Sequence, residues 1–214
     1  MFRVLKWIVS LGLTLFFIMF FAQLLTSRTY MTLSQGRFAS HENITYDHRF
    51  VAHKLIDYLN YRHDDLTFGA NATDENVLMR DIEIRHMVDV KHLYTLLRLV
   101  ALGGLVVAGG ALVYLRRQDP LLMFKALRDS YRLPLVFTVV MGAIFATNFS
   151  RAFVIFHELF FDNDDWLLLS DDVLILLLPQ EFWFISALLI LVGLVFANGA
   201  LHLWARRKVQ KLTM

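Results

Sequence analysis

Four long apolar runs decide what this chain can fold into. Leu5 to Leu25, Leu93 to Leu115, Leu133 to Phe156 and Trp183 to Trp204 are each long enough to cross a bilayer, for which a helix needs about 20 predominantly apolar residues. The second run is interrupted only by Arg98, near one end. Inside hydrocarbon the backbone must satisfy its own N–H and C=O groups, so runs of this length are helices. Composition agrees: 57% of the 214 residues are hydrophobic and 19% are charged, against about 25% charged in soluble domains. The first run follows Arg3 and Lys6 as a secretory signal would. It is longer than a signal core, however, and Thr26-Ser27-Arg28 offers no small-x-small cleavage site, so the expectation is a retained anchor.

Basic residues in short loops set orientation. Arg3 and Lys6 precede the first span, Arg116, Arg117, Lys125, Arg128 and Arg132 lie between the second and third, and Arg206, Arg207, Lys208 and Lys211 follow the fourth. All fall on one side if both termini are cytoplasmic. Between the third and fourth spans lie Glu158, Asp162, Asp164, Asp165, Asp171, Asp172 and Glu181, with no Lys or Arg among them. The expected fold is an all-α membrane protein with four transmembrane helices and a small, mostly helical extracytoplasmic cap. Its expected parts are helix 1 over 1–26, a cap over 27–92 leading into helix 2 over 93–115, and a cytoplasmic loop over 116–132. Helix 3 over 133–156, an interfacial segment over 157–182, helix 4 over 183–204 and a cytoplasmic tail over 205–214 complete it.

Within the cap, Asp47 to Leu59 places Phe50, Val51, Leu55, Tyr58 and Leu59 at helical spacing, with Asp47 suited to cap the helix. Gly69 to Thr73 reads as a loop, and Glu75 to His92 as a helix running on into the second span. Trp166 to Leu178 is apolar but too short to span, and Pro179 ends it; an interfacial or re-entrant helix is expected. The absence of cysteine removes thiol nucleophiles, thiolate metal sites and disulfides. No Gly-rich phosphate loop, G-x-S-x-G elbow or H-E-x-x-H is present. The basic residues are accounted for by topology, so nucleic-acid binding has no support.

Seven of the eight histidines fall on the expected outer side: His41, His48, His53, His63, His86, His92 and His157. His41, His48, His53 and His63 lie in polar cap sequence and His202 near the cytoplasmic end of span four, so all five read as surface or interface residues. His157 is the first polar residue after Val154-Ile155-Phe156, and His86 lies a turn or two before span two. On a continuous helix His86 and Asp89 are i and i+3 and share a face, where a carboxylate can orient the ring and select its tautomer. Titratable groups at a bilayer boundary are costly unless they pair or do chemistry. Phe156, Phe160, Phe161, Trp166, Phe182 and Trp183 crowd around His157 in sequence, as they would in a lipid-handling pocket. Interfacial aromatics and locally bonded histidines are the plainer explanation. His86, His157, Glu158, Asp162, Asp164 and Asp165 could also assemble around a metal. Asp162-Asn163-Asp164-Asp165 lacks the glycine and glutamate of an EF-hand loop.

Glu83-x-x-His86-Met87-x-Asp89-Val90, Phe156-His157-Glu158-x-Phe160-Phe161-x-Asn163-x-x-Trp166 and Leu178-Pro179-x-x-Phe182-Trp183 resemble the lipoprotein intramolecular transacylases of Gram-positive bacteria. The four-span layout with an outer cap resembles them as well, so the likeness covers nearly the whole chain. The resemblance implies an acyltransferase of the bacterial cytoplasmic membrane with its site at the outer interface. Its substrate would be a membrane-anchored diacyl lipoprotein, set among membrane lipid, and the acyl chain would move from the glyceryl sn-2 oxygen to the α-amine of the N-terminal cysteine. It implies His86 and His157 as catalytic residues, with no metal and no cofactor. Asp89, Glu83 and Glu158 are the expected supporting acids. The residues alone leave two other readings open. One is a metal- or serine-dependent lipid hydrolase, with Ser150 or Ser170 as nucleophile; the other is a non-enzymatic membrane adaptor.

Overall fold

The computed structural model describes residues 1–38 and 46–214. Its elements are α1 (Phe2–Leu25), α2 (Arg28–Phe38), α3 (His48–Leu59), α4 (Asp81–Gln118), α5 (Pro120–Asp129), α6 (Arg132–Phe160), α7 (Val173–Leu177) and α8 (Gln180–Thr213). No strand occurs among the described residues. Four helical stretches, Phe2–Leu25, Asp81–Gln118, Pro120–Phe160 and Gln180–Thr213, are long and apolar enough to cross a membrane, and the chain is a multi-pass membrane protein. With 38 residues, α4 is about 57 Å long at ~1.5 Å per residue. A hydrocarbon core of about 30 Å accommodates roughly half of it.

The chain divides into two compact units. The first comprises Met1–Ala22, Leu96–Thr147 and Ala187–Met214. Its core gathers Val9 and Leu13 of α1, Ala111 of α4, Leu127 of α5 and Ala205 of α8. Gly12 lets α1 lie against α4, since a Cβ there would meet the Gly104 carbonyl oxygen at 2.3 Å; small residues permit this close packing of membrane helices. Large apolar residues such as Leu99, Val106, Val139 and Phe196 remain exposed, as expected of surfaces whose solvent is lipid. Polar ties gather at one end. Ser10 Oγ donates to the Ser130 carbonyl at 2.8 Å, His202 Nδ1 to the Arg128 carbonyl at 2.7 Å, and Lys6 lies 3.6 Å from Asp129. Residues 116–132, expected as a plain loop, contain α5. Asp119 caps it by accepting from Leu121 N at 2.8 Å, and Pro120 occupies the first turn, where its missing N–H costs nothing.

The second unit comprises Gln23–Thr95 and Asn148–Ser186. It is held by a core in which Met31, Val51, Leu55, Leu66, Met87, Leu177 and Phe182 are buried. Burying each large side chain of this kind stabilises by about 1.5–3 kcal/mol. The α3 helix runs as its spacing predicts, with Asp47 accepting from Arg49 N and Phe50 N at 3.0 Å each. Although polar, α2 is held against α3. Arg28 pairs with Asp57, Thr32 Oγ1 bonds His53 Nε2 at 2.9 Å, and Gln35 donates to the Leu177 carbonyl at 3.1 Å. Hydrogen bonding from Arg28 holds the Asp57 carboxyl below its usual range. Burial, with the nearby Glu83 charge, pushes the Tyr46 phenol up to about 12.

Two expectations are corrected here. The helix expected over Glu75 to His92 begins only at Asp81. Trp166 to Leu178 does not form one helix: only Val173–Leu177 is helical, and Val173, Leu174 and Leu177 are buried in this unit's core. Asp172 explains the shape. It is buried, pairs with Arg80 and accepts from Leu169 N at 2.7 Å, which turns the chain inward. A second feature bears on the site: α6 is broken at Asn148, whose φ of −163° and ψ of 92° are not helical. Its side-chain oxygen accepts from Arg151 N at 2.8 Å, an N-cap that starts the helix afresh toward His157.

Candidate active site

His86 stands on the second turn of α4 and His157 on the last turn of α6. Both are nearly buried, at 9% and 8% exposure. Their ring centroids are 5.9 Å apart with the planes inclined at 33°, so two histidines separated by 71 positions share one site. Aromatic rings close around them. Phe161 presents itself to His86 edge-on at 5.3 Å and lies 5.6 Å from His157. Phe153, Trp166 and Phe156 lie 4.4, 5.1 and 5.4 Å from His157, with Trp166 inclined only 33° to the imidazole plane.

The hydrogen bonding of His157 assigns its tautomer. Nδ1 is 2.7 Å from the Phe153 carbonyl oxygen, and a carbonyl only accepts. Nδ1 therefore carries the proton, and in the neutral ring Nε2 keeps its lone pair. Because Phe153 is four residues back on the same helix, this arrangement follows from helix geometry and requires no distant partner. Among the described residues the His86 ring makes no hydrogen bond, so its polar atoms are available to a bound group.

The supporting acids do something other than expected. Asp89 Oδ2 accepts from Asn163 Nδ2 at 2.8 Å, and no hydrogen bond joins it to His86 among the described residues. Glu83 is fully buried. Its two oxygens accept from Leu174 N at 2.9 Å and Arg80 N at 2.8 Å, the second being the back-reaching half of a capping box at the start of α4. Glu83 therefore joins the first turns of α4 and α7. Glu158 is exposed and, among the described residues, bonds to neither histidine. Arg85 forks onto Asp165 through Nε and Nη2 at 2.9 and 2.8 Å, and it holds the Asp165 carboxyl below its usual range.

Of the expected pocket aromatics, Phe156, Phe161 and Trp166 contact His157. Phe160 packs on Phe156 at 4.9 Å, Phe182 on Tyr30 at 5.8 Å, and Trp183 reaches Phe153 at 6.3 Å while donating to the Leu178 carbonyl at 3.0 Å. Phe153 and Asn163 were not among the expected site residues. The i, i+4 spacing of Phe153 to His157 was the available signal. Ser150 meets Gln180 at 2.6 Å and no histidine among the described residues. No group of three or more His, Asp or Glu suited to a metal forms among the described residues. The remaining histidines are used locally: His48 stacks on Tyr46 at 5.0 Å, His53 bonds Thr32, and His63 accepts from Lys54 at 2.7 Å. His92 is exposed; His41 lies outside the described residues.

With this geometry in place, the family model described as "Lipoprotein intramolecular transacylase Lit" matches residues 1–183 of the chain. The chain belongs to that family. Solved structures of the membrane-integral lipoprotein intramolecular transacylase Lit of Bacillus cereus share the transacylase fold seen here. One superposes with a TM-score of 0.80 at 22% identity, covering 100% of this chain and 98% of that one. A variant of the Bacillus cereus protein with alanine in place of a histidine gives 0.78 at 23% identity, with coverages of 100% and 96%. An uncharacterized protein of Aquifex aeolicus (strain VF5) is 32% identical over 92 residues, which is 43% of this chain and 40% of that protein. The match thus spans less than half of that relative's length.

Proposed function

We infer that this transacylase moves the sn-2 acyl chain of a diacylglyceryl lipoprotein onto the α-amine of its N-terminal cysteine, yielding the lyso-form lipoprotein. The observation that carries this reading is the pair of buried imidazoles, His86 and His157, with centroids 5.9 Å apart inside an aromatic shell in a chain of this family. Transfer within one molecule requires no acyl-enzyme. It requires the amine to be held against the ester carbonyl, and well-oriented intramolecular reactions gain roughly 7–11 kcal/mol from such positioning. A shell of Phe153, Phe156, Phe161 and Trp166 is suited to folding a flexible glyceryl group onto the amine.

The α-amine, whose ordinary pKa is about 7.7–8.0, must be neutral to attack. Its nitrogen adds to the ester carbonyl carbon and gives up a proton to His157 Nε2, whose lone pair is left free by the Nδ1 bond to Phe153. The carbonyl oxygen becomes an oxyanion, for which His86, free of other hydrogen bonds among the described residues, serves as donor. As the carbon–oxygen bond to the glyceryl group breaks, the departing alkoxide takes the proton from His157. One amide forms, one ester is lost, and the substrate's total mass is unchanged.

In this reading both termini face the cytoplasm and the site lies at the outer interface, among membrane lipid. The basic residues on one rim and the acids of 157–182 on the other support that orientation. Ser150 bonded to Gln180 does not favour a serine hydrolase. The test is tandem mass spectrometry of a synthetic diacyl lipopeptide after incubation with purified protein and a strong chelator. The expected product has the same mass and fragments with the acyl group on the cysteine nitrogen. Free fatty acid as the main product would mean a hydrolase instead.

A further inference from the structure

The segment after α6 is fastened to α4 at two points that straddle His86. Asn163 Nδ2 donates to Asp89 Oδ2 at 2.8 Å, and Asp165 receives the fork of Arg85 at 2.8 and 2.9 Å. The segment is also tied to itself. Asp165 N donates to Asn163 Oδ1 at 3.0 Å, Leu167 N to the Asp164 carbonyl at 3.0 Å, and Leu168 N to the Trp166 carbonyl at 3.0 Å. Trp166, the residue immediately after this double fastening, lies 5.1 Å from the His157 ring at a shallow 33°. Arg85 and Asp89 are i and i+4 on α4 and share a face. The anchors and His86 therefore come from the same two turns of one helix. The Arg85–Asp165 pair is exposed, at 58% and 22% of its side chains, and pairs in that setting add little to stability. Their consistent effect here is geometric.

We propose that Asp89 is a positioning residue that works as the hydrogen-bond acceptor for Asn163, and that with Arg85–Asp165 it seats Trp166 on His157. This rests on the transacylase reading for its kinetic consequence but not for its structural one. It also separates two ways for Asp89 to matter. If its charge tuned His86, any neutral replacement would be equally harmful. If it serves as an acceptor, an amide of the same shape keeps an oxygen for Asn163 and is tolerated.

The experiment compares Asp89→Asn, Asp89→Ala, Asn163→Ala and the double alanine variant in the full-length membrane protein. Asp89→Asn is expected within about threefold of the parent kcat. Each single alanine variant is expected to lose about tenfold, mainly in kcat, and the double variant no more than either, because both remove one bond. A second readout is independent of activity: in a Trp7→Phe, Trp183→Phe, Trp204→Phe background the emission of Trp166 should show a pH-dependent quench. The quench arises because a protonated imidazole in contact quenches indole, and His157→Gln should abolish it. Asp89→Asn should preserve the step; Asp89→Ala should shrink it. Arg85→Gln, which frees Asp165 without touching Asp89, should shrink it likewise and serves if Asp89→Ala does not fold. Equal damage from Asp89→Asn and Asp89→Ala would overturn the proposal in favour of a charge effect on His86. An unaltered quench in Asp89→Ala and Arg85→Gln would also overturn it. A normal quench pattern with no acyl transfer in the parent would overturn the transacylase reading and leave the seating intact.

Discussion

Replacing Glu83 with alanine separates a structural acid from a catalytic one. Glu83 is fully buried and accepts two backbone hydrogen bonds, from Leu174 N and Arg80 N. Removing the acceptor strands both donors. Leu174 is itself buried at 6% exposure, so its N–H cannot recover a water partner, and such a loss costs about 1–3 kcal/mol. Arg80 is exposed, so its N–H can be hydrated; only the lost cap remains, at about 0.5–1 kcal/mol. Together these come to about 1.5–4 kcal/mol. With Glu83→Gln one acceptor oxygen survives, so about half that cost is expected. In a chain of this length each kcal/mol moves Tm by roughly 2–4 °C. Glu83→Ala should therefore melt about 3–16 °C lower in detergent, as followed by intrinsic fluorescence or circular dichroism. Below its melting range the folded fraction should turn over within a few fold of the parent rate, because neither Glu83 oxygen faces a histidine. An unchanged Tm together with a hundredfold loss of turnover would refute this and place Glu83 in the chemistry.

His157→Ala and His86→Ala should each lower turnover by about 10²–10⁴-fold, the usual contribution of general acid–base catalysis, with the fold retained by circular dichroism. Ser150→Ala and Ser170→Ala should stay within a few fold of the parent in the same assay, since no serine is asked to carry the acyl group. For topology, Ala72→Cys in the Gly69–Thr73 loop should react with an impermeant thiol reagent in intact cells, while Gln210→Cys near the C-terminus should react only after lysis; the cysteine-free chain provides a clean background. The reverse labelling would invert the orientation.

Much of the fold was legible because a bilayer enforces simple rules. The apolar runs announced the four long helices, and Asp47 with the Val51–Leu55–Leu59 spacing announced α3. The elements that were harder to read depend on tertiary contacts. Polar by sequence, α2 becomes an element through Asp57, His53 and the Leu177 carbonyl, none of them near it in the chain. Trp166 to Leu178 reads as interfacial because it is apolar, yet the pairing of buried Asp172 with Arg80 turns it into the core of the second unit. Of these, only α5 carries a local signal of its own, the Asp119-Pro120 start. At the site, His86 and His157 stood out by position and by the motifs around them. Asp89 stands i, i+3 from His86, but that spacing cannot reveal a competing partner 74 residues away at Asn163.

The central claim is that two histidines and confinement drive acyl transfer within a single substrate molecule, and an isotope crossover experiment tests it most directly. Two diacyl lipopeptides are mixed with the enzyme, one deuterated in its sn-2 acyl chain and the other labelled in its peptide. The expected lyso-form products carry only their own acyl chain and form at rates that fall by at least a hundredfold in His157→Ala. Doubly labelled and unlabelled products in statistical proportion would show that the acyl group leaves its substrate for the enzyme or another lipid. That result would contradict the mechanism even if every product were a lyso-form lipoprotein.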